Sequence, residues 1–403
     1  MDIPQIISVD DHVLEPADVW QRYLPTALRE RGPRMERVKG FVQREPKRIV
    51  LRPDDDGQPV DCWVYDGNLL PIMAGFVAVS FERDSMPEGG GVITDQILPG
   101  CSDRTARLRD MDRNHMEASL CFPSFPRFCG QTFLEGSDLE LGLACVRAYN
   151  DWMIEEWCGD EAAGRLIPLT LVPLWDAALA AAEVRRCAGK GSHAICFSEN
   201  PSSLGLPSMH SGYWDLLWDA CQETDTVVNM HIGSSSTFPT TSPDAPRIVS
   251  MGLTFEGASR ALVDWLTSGV LPRFPRMRIA LSEGQVGWMP FVLERLDNAW
   301  AEHSSEYTGL GDRIPQPPSS YVPGRVYGCI FDDLSGLSQR AAVGMDQIMF
   351  ETDYPHGDST WPRSLEVLQR LVADAGLDTG ETYKLVRGNA IDCYGLERYG
   401  IRA

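Results

Sequence analysis

Short, continuous apolar runs alternate with amphipathic stretches along most of the chain. The runs occupy residues 6–9, 118–122, 166–172, 194–198, 227–231, 277–282, 326–331 and 347–352, eight in all. Continuous rather than alternating apolar character is expected of parallel strands covered on both faces. Between and after them the spacing predicts helices over 104–116, 136–156, 176–188, 213–224, 255–268, 289–302, 337–344, 364–375 and 381–391. Eight βα repeats predict an α/β chain closed as a (β/α)8 TIM barrel. The competing doubly wound sheet is disfavoured because no Gly-rich dinucleotide turn follows the first strand.

One segment interrupts this rhythm. Residues 30–102 are rich in charge and turn formers, and 48–52 followed by Asp54-Asp-Asp-Gly57 and 61–65 reads as a β-hairpin. The segment is read as an insertion after the first strand that caps the barrel mouth, within a single domain of residues 1–403. The Gly-rich run at 89–91 and the Pro-rich stretch at 315–318 read as loops on the same rim.

Composition narrows the partners. A chain of 403 residues with 43% hydrophobic content can bury a large core. Its net charge of -21 argues against nucleic acid and anionic membranes, which need clustered Lys and Arg. No signal peptide or membrane-length apolar run is evident, which predicts a cytoplasmic protein acting on a small molecule, with a homo-oligomer as the default assembly. Eleven Cys without CxxC spacing indicate neither a disulfide framework nor a zinc ribbon.

Candidate chemistry lies where polar residues end apolar runs, because catalytic groups of a barrel sit at the carboxyl ends of its strands. The first strand ends Asp10-Asp11-His12, and the period-two alternation points Asp10 and His12 inward together. Glu199 ends the fourth run, His231 the fifth, Glu283 the sixth and Asp353 the eighth, with His356 three residues further on. Converging carboxylates repel one another unless a cation joins them, and a divalent metal pair would relieve that repulsion. Asp10, His12, Glu199, His231, Glu283 and Asp353 are therefore the expected metal ligands. Asp353 and His356 are the expected proton-moving groups, His356 as ligand, shuttle or hydrogen-bond donor to a ligand. Arg325, Asp332 and Asp333 flank the seventh run as ligand-orienting groups or solvated rim charges. His193, His115, His210 and His303 read as structural, and Trp152, Trp157, Trp214, Trp218 and Trp288 as core packing. No GxSxG, GxxxxGK[ST] or HExxH motif is present.

The order Asp-x-His on the first strand, His after the fifth and Asp after the eighth resembles the amidohydrolase-related metal-dependent barrels. Their relatives include aminocarboxymuconate-semialdehyde decarboxylase and aromatic-acid decarboxylases. The most specific stretches are Ser-Val-Asp-Asp-His-Val-Leu-Glu-Pro at 8–16, Asn-Met-His-Ile-Gly at 229–233, Ser-Glu-Gly-Gln-Val-Gly-Trp at 282–288 and Thr-Asp-Tyr-Pro-His at 352–356. The resemblance implies that Asp10 and His12 stand for the family's HxH pair and Glu199 for its fourth-strand bridging residue. It also implies that His231 stands for the fifth-strand His, Glu283 for a sixth-strand His and Asp353 for the eighth-strand Asp.

Two carboxylates in place of His move the expected metal from zinc toward iron, with manganese or zinc as alternatives. Within such barrels the carboxylate-rich pattern resembles nonheme di-iron monooxygenases that act largely on coenzyme A thioesters. A di-iron monooxygenase using dioxygen on a carboxylic-acid-derived, CoA-linked substrate therefore ranks first. Metal-dependent hydrolysis of an amide, ester or thioester ranks second, and nonoxidative decarboxylation third. A binding module without turnover is the remaining alternative.

Overall fold

The computed structural model describes residues 2–45, 48–87, 89–162, 164–305 and 309–402. In chain order its strands are β1 (Ile6–Val13), β2 (Arg34–Arg44), β3 (Ile49–Pro53), β4 (Gln58–Tyr65), β5 (Asn68–Pro71), β6 (Met116–Pro123), β7 (Leu166–Ile167), β8 (Ala194–Cys196), β9 (Val227–His231), β10 (Ile279–Ser282), β11 (Val326–Ile330) and β12 (Ile348–Phe350). β1, β6 and β7 form one parallel ladder, and β8 to β12 form another in the order β12-β11-β10-β9-β8.

Two joints make these ladders one ring. Thr170, beyond β7, bridges to Ile195 of β8, its amide donating to the Ala194 carbonyl and its carbonyl accepting from the Cys196 amide. At the other joint the Asp353 amide donates to the Asp10 carbonyl at 3.0 Å, and the His12 amide to the Tyr354 carbonyl at 2.6 Å. All eight predicted runs contribute a strand to this ring, a mixed α/β architecture of the TIM-barrel type.

The surrounding helices begin where the chain supplies caps. Asp103, Asp138 and Asp176 accept hydrogen bonds from the first amides of Arg104–Arg113, Leu139–Trp152 and Ala177–Ala188, each cap contributing about 1 kcal/mol. The helix expected over 337–344 is instead two pieces, Leu334–Ser338 and Arg340–Val343, because Asp333 caps the Gly336 amide and starts the first piece early. Trp152, Trp157, Trp214 and Trp218 are buried as expected, the Trp218 ring lying 4.9 Å from Trp265 and 5.1 Å from Phe197. Trp288 is partly buried against the same core. All eleven Cys are free.

Between β1 and β6 stands a separate antiparallel sheet of order β3-β2-β4-β5. Here the expected hairpin is corrected: β3 and β4 do not pair with each other but lie on opposite edges of β2. β2 is eleven residues long and dense in Arg, Glu and Lys, so no apolar run announces it, yet it is long enough to receive both neighbours. The turn between β3 and β4 passes so close to β2 that a Cβ on Gly57 would lie 2.5 Å from the Gly40 backbone.

Candidate metal centre

β1 runs fully buried through Asp10, Asp11 and His12, and its alternation separates their roles. Asp11 is a structural pin. It accepts hydrogen bonds from Ser8 Oγ at 3.1 Å, from Thr352 Oγ1 at 2.5 Å, from the Tyr354 amide at 3.0 Å and from the Ser119 hydroxyl, tying β1 to β6 and to the chain beyond β12. Asp10 and His12 turn instead toward the residue that ends β9 and those that follow β10 and β12.

There the donors converge. His12 Nε2 lies 3.4 Å from Asp10 Oδ1, 3.4 Å from Asp353 Oδ1 and 3.2 Å from His231 Nε2. His231 Nε2 is 3.6 Å from both Asp10 Oδ2 and Glu283 Oε2. His356 Nδ1 is 3.0 Å from Asp353 Oδ1 and 3.8 Å from Glu283 Oε1. Two sets, His12–His231–Glu283–His356 and Asp10–His12–Asp353, each hold their donor atoms within 4.8 Å and share His12.

Glu283 and Asp353 reach this centre from left-handed backbone, with φ of 56° and 52°. Such a conformation costs a non-glycine residue on the order of 1 kcal/mol and persists only where neighbours impose it. Glu351 imposes it on Glu283, its carboxylate accepting from the Glu283 amide at 3.1 and 3.2 Å. The Asp10 carbonyl holds Asp353 in the same way.

The electrostatics without a cation are those of crowded carboxylates. Burial, then Glu351, Glu283 and Asp353, pushes the Asp10 carboxyl well above its usual range. Burial and Glu283 do the same to Asp353, and burial and Glu283 to Glu351. Burial opposes ionisation of Glu283 as well, but His231 and His356 overcome it and hold that carboxyl at about 2. Burial keeps His12 and His231 below the ordinary imidazole range, in the neutral form that coordinates metals. The short contact from His231 Nδ1 to the Ile232 carbonyl at 2.6 Å places that ring's proton on Nδ1 and leaves Nε2 free to face the cluster.

These residues fit a divalent cation. Both oxygens of Asp10 and of Asp353 are buried and make no well-formed hydrogen bond among the described residues, a costly state for carboxylates unless a cation satisfies them. Ligands at about 2.0–2.2 Å from one ion stand roughly 3.0–3.5 Å from each other, and most of the separations here fall at that spacing. Mixed imidazole and carboxylate donors suit zinc, manganese or iron rather than calcium or magnesium.

Glu199, expected as a bridging ligand, is not brought to this cluster. Its side chain is 4% exposed, and Oε1 accepts from the Gly233 amide at 2.8 Å, the Ser235 amide at 3.3 Å and Ser235 Oγ at 2.7 Å. Oε2 faces helix Phe255–Thr267, where a Cβ on Gly257 would lie 2.1 Å from it. The flanking charges of β11 are structural. Arg325 donates to the Met277, Leu271 and Phe274 carbonyls, Asp332 pairs with Arg370, and Asp333 accepts from the Val286, Gly287 and Gly336 amides. His193 and His115 bond to backbone carbonyls, and His210 pairs with Asp264.

Sequence reasoning overlooked Glu351, although it stands two residues before Asp353, the spacing that singled out Asp10 and His12. It also overlooked Arg127 and Phe128. His12, His356, Phe76, Arg127 and Phe128 enclose a small space above the cluster. Phe76, Ser124, Arg127 and Phe128 also line a cavity of about 530 Å³ whose other walls include Trp63, Tyr65, Phe125 and Phe238.

The profile of the amidohydrolase family matches residues 67–396. The chain belongs to the amidohydrolase family. This family member has no match among curated protein sequences. Among solved structures, it is similar to an amidohydrolase from Mycobacterium avium subsp. paratuberculosis K-10, with 21% identity and a TM-score of 0.68 over 97% of this chain and 99% of that one. It is also similar to 2,6-dihydroxybenzoate decarboxylase from Rhizobium, with 16% identity and a TM-score of 0.60 over 98% and 100% of the two chains. A third similar structure is 5-carboxyvanillate decarboxylase from Novosphingobium aromaticivorans DSM 12444, solved with manganese and 4-hydroxy-3-methoxy-5-nitrobenzoic acid, with 16% identity and a TM-score of 0.61 over 97% and 96%. At these identities the likeness shows a shared fold. No helix among the described residues of this amidohydrolase is long and apolar enough to cross a membrane.

Proposed function

We propose that the chain is an enzyme with a single divalent-cation centre that removes carbon dioxide, without oxidation, from a small aromatic carboxylate. One observation carries this reading: the donor atoms of His12, His231, Glu283 and His356, and of Asp10, His12 and Asp353, form two overlapping sets that share His12 beneath an aromatic-walled cavity that Arg127 also lines. Five residues would hold the cation, namely Asp10, His12, His231, Glu283 and Asp353. Manganese, zinc or one iron fits the donor set. The sheet from β2 to β5 contributes Trp63, Tyr65 and Leu70 to the cavity wall, which supports the reading of residues 30–102 as a cap on the barrel mouth.

When bound, the cation supplies a Lewis acid that fixes and polarises an oxygen of the substrate. Arg127, paired with Glu135 at 2.9 Å and donating to Ser236 Oγ, gives the cavity a fixed polar edge, and the surrounding rings exclude water from the substrate's apolar face. The reaction breaks the bond between ring carbon and carboxylate, leaves the electron pair on that carbon, and places one proton there as carbon dioxide departs. His356 borders the small space above the cluster and its Nδ1 is oriented by Asp353 at 3.0 Å, so His356 holds the proton and delivers it.

The di-iron oxygenase reading needs a second metal held by Glu199, but Glu199 belongs to neither donor set among the described residues and its Oε1 is taken by the Gly233 and Ser235 donors. A coenzyme A thioester is not required for decarboxylation. Hydrolysis would use the same cation, but the fold shared with two aromatic-acid decarboxylases supports loss of carbon dioxide.

The test combines metal analysis of anaerobically purified protein with carbon dioxide release from a panel of hydroxybenzoates under argon. About one divalent metal per chain and release without dioxygen are expected. Two irons per chain with dioxygen uptake, or hydrolysis of esters and amides with no carbon dioxide, would overturn the proposal.

A further inference from the structure

We propose that Glu15 is a positioning residue that sets the loop of residues 124–128 against the metal centre; its effect on turnover rests on the function proposed above. Glu15 is 1% exposed and stands two residues beyond β1. Its Oε1 accepts from the Ser124 amide and its Oε2 from the Phe125 amide, each at 2.9 Å. Ser124 Oγ returns a hydrogen bond to the Val13 carbonyl at 2.8 Å. The ends of β1 and β6 are thereby clamped where the loop begins.

What the clamp holds is the wall of the site. The Phe128 ring stacks on His231 with centroids 4.0 Å apart and planes inclined by 10°, and stands edge-on to His12 at 5.9 Å. Arg127 takes a left-handed backbone, φ 63°, and lines both the small space above the cluster and the large cavity. A side-chain-bearing residue keeps that conformation only if the chain on either side is fixed. On the far side Gln131 does this, accepting from the Cys129 amide at 2.9 Å and donating to the Ser234 carbonyl at 3.1 Å. Glu15 is the anchor on the near side and does not itself line the cavity.

The clamp is sensitive to protonation. Burial pushes the Glu15 carboxyl up to about 7 against the pull of the Phe125 and Ser124 amides. The titratable side chain set against it is Tyr149 of helix Leu139–Trp152, whose hydroxyl has no hydrogen-bond partner among the described residues. Ionised, the carboxylate accepts both amides. Protonated, one oxygen carries a hydrogen facing a donor, and that arm of the clamp weakens.

The experiment uses the metal-loaded protein. Nitrogen-15 amide shifts of Ser124 and Phe125, followed from about pH 5.5 to about pH 8.5, are expected to titrate together near neutrality in the wild type and to stay flat in Glu15→Gln. With the best hydroxybenzoate from the panel, Glu15→Gln is expected to keep its metal and raise KM about tenfold, with kcat changed less and the near-neutral inflection of kcat/KM removed. Amides that do not titrate in the wild type, a measurement needing no variant, would overturn the proposal, as would a Glu15→Gln enzyme with unaltered KM and pH profile. Absence of carbon dioxide release by the wild type would count against the function proposed above, while the amide titration would still decide the role of Glu15.

Discussion

Replacing Glu15 by Gln should change how stability depends on pH, and the size of the change follows from one buried carboxyl. Folding moves that group from an ordinary value of 4.5 to about 7. The native state therefore binds its proton more tightly than the unfolded chain does. The associated stability is fully present below about pH 4.5 and is lost as pH rises through about 7. At 1.36 kcal/mol per unit, the full loss is about 3 kcal/mol, of which roughly 2 falls between pH 5 and pH 8. Gln cannot titrate, so it lacks this loss. Its one misdirected hydrogen bond costs the same at every pH and cancels when the wild-type–variant difference is compared between two pH values.

Urea denaturation of both proteins at about pH 5 and about pH 8 measures that difference. The wild type should lose roughly 2 kcal/mol relative to Glu15→Gln on going from the lower to the higher pH. Parallel behaviour of the two proteins, or relative loss by the variant, would refute the assignment of a near-neutral ionisation to Glu15.

Glu199→Gln is expected to leave the metal content at the wild-type value, whereas Glu283→Ala should lower it; elemental analysis of the two purified variants distinguishes a carboxylate held by the loop amides from one held by the cluster. Asp11→Asn places amide hydrogens among four donors and should cost about 2–4 kcal/mol, seen as a lower urea midpoint. Tyr394→Phe removes the hydroxyl that donates to Asn229 Oδ1 at 2.6 Å inside the barrel and should cost about 1–3 kcal/mol by the same measurement.

Apolar runs and the polar residues ending them make the ring and most of the centre legible in the amino-acid sequence. Burial on both faces leaves a strand no freedom to be polar, and the inward alternation of Asp10 and His12 follows from backbone geometry alone. The same grammar could not separate Glu199 from Glu283. Both end apolar runs, but three donors from Gly233 and Ser235 intercept one, while Glu351 fixes the backbone beneath the other. Glu15 escaped notice because its partners lie 109 and 110 residues away. β2 escaped because its charges suppress the apolar signal, and without it β3 and β4 looked like each other's partners.

The joint between β1 and the chain beyond β12 has a consequence for the order of synthesis. Thr352 bonds to Asp11 across 341 positions, and Asp353 stands beside Asp10 and His12. A nascent chain that has emerged only through β11 carries Asp10, His12, His231 and Glu283 but lacks Asp353 and His356. On the proposed reading the metal site would therefore come into being only when the last strand is translated and docks against the first. Cation uptake would then report a finished barrel, and premature termination anywhere before Asp353 would leave a product without the complete set of proposed ligands.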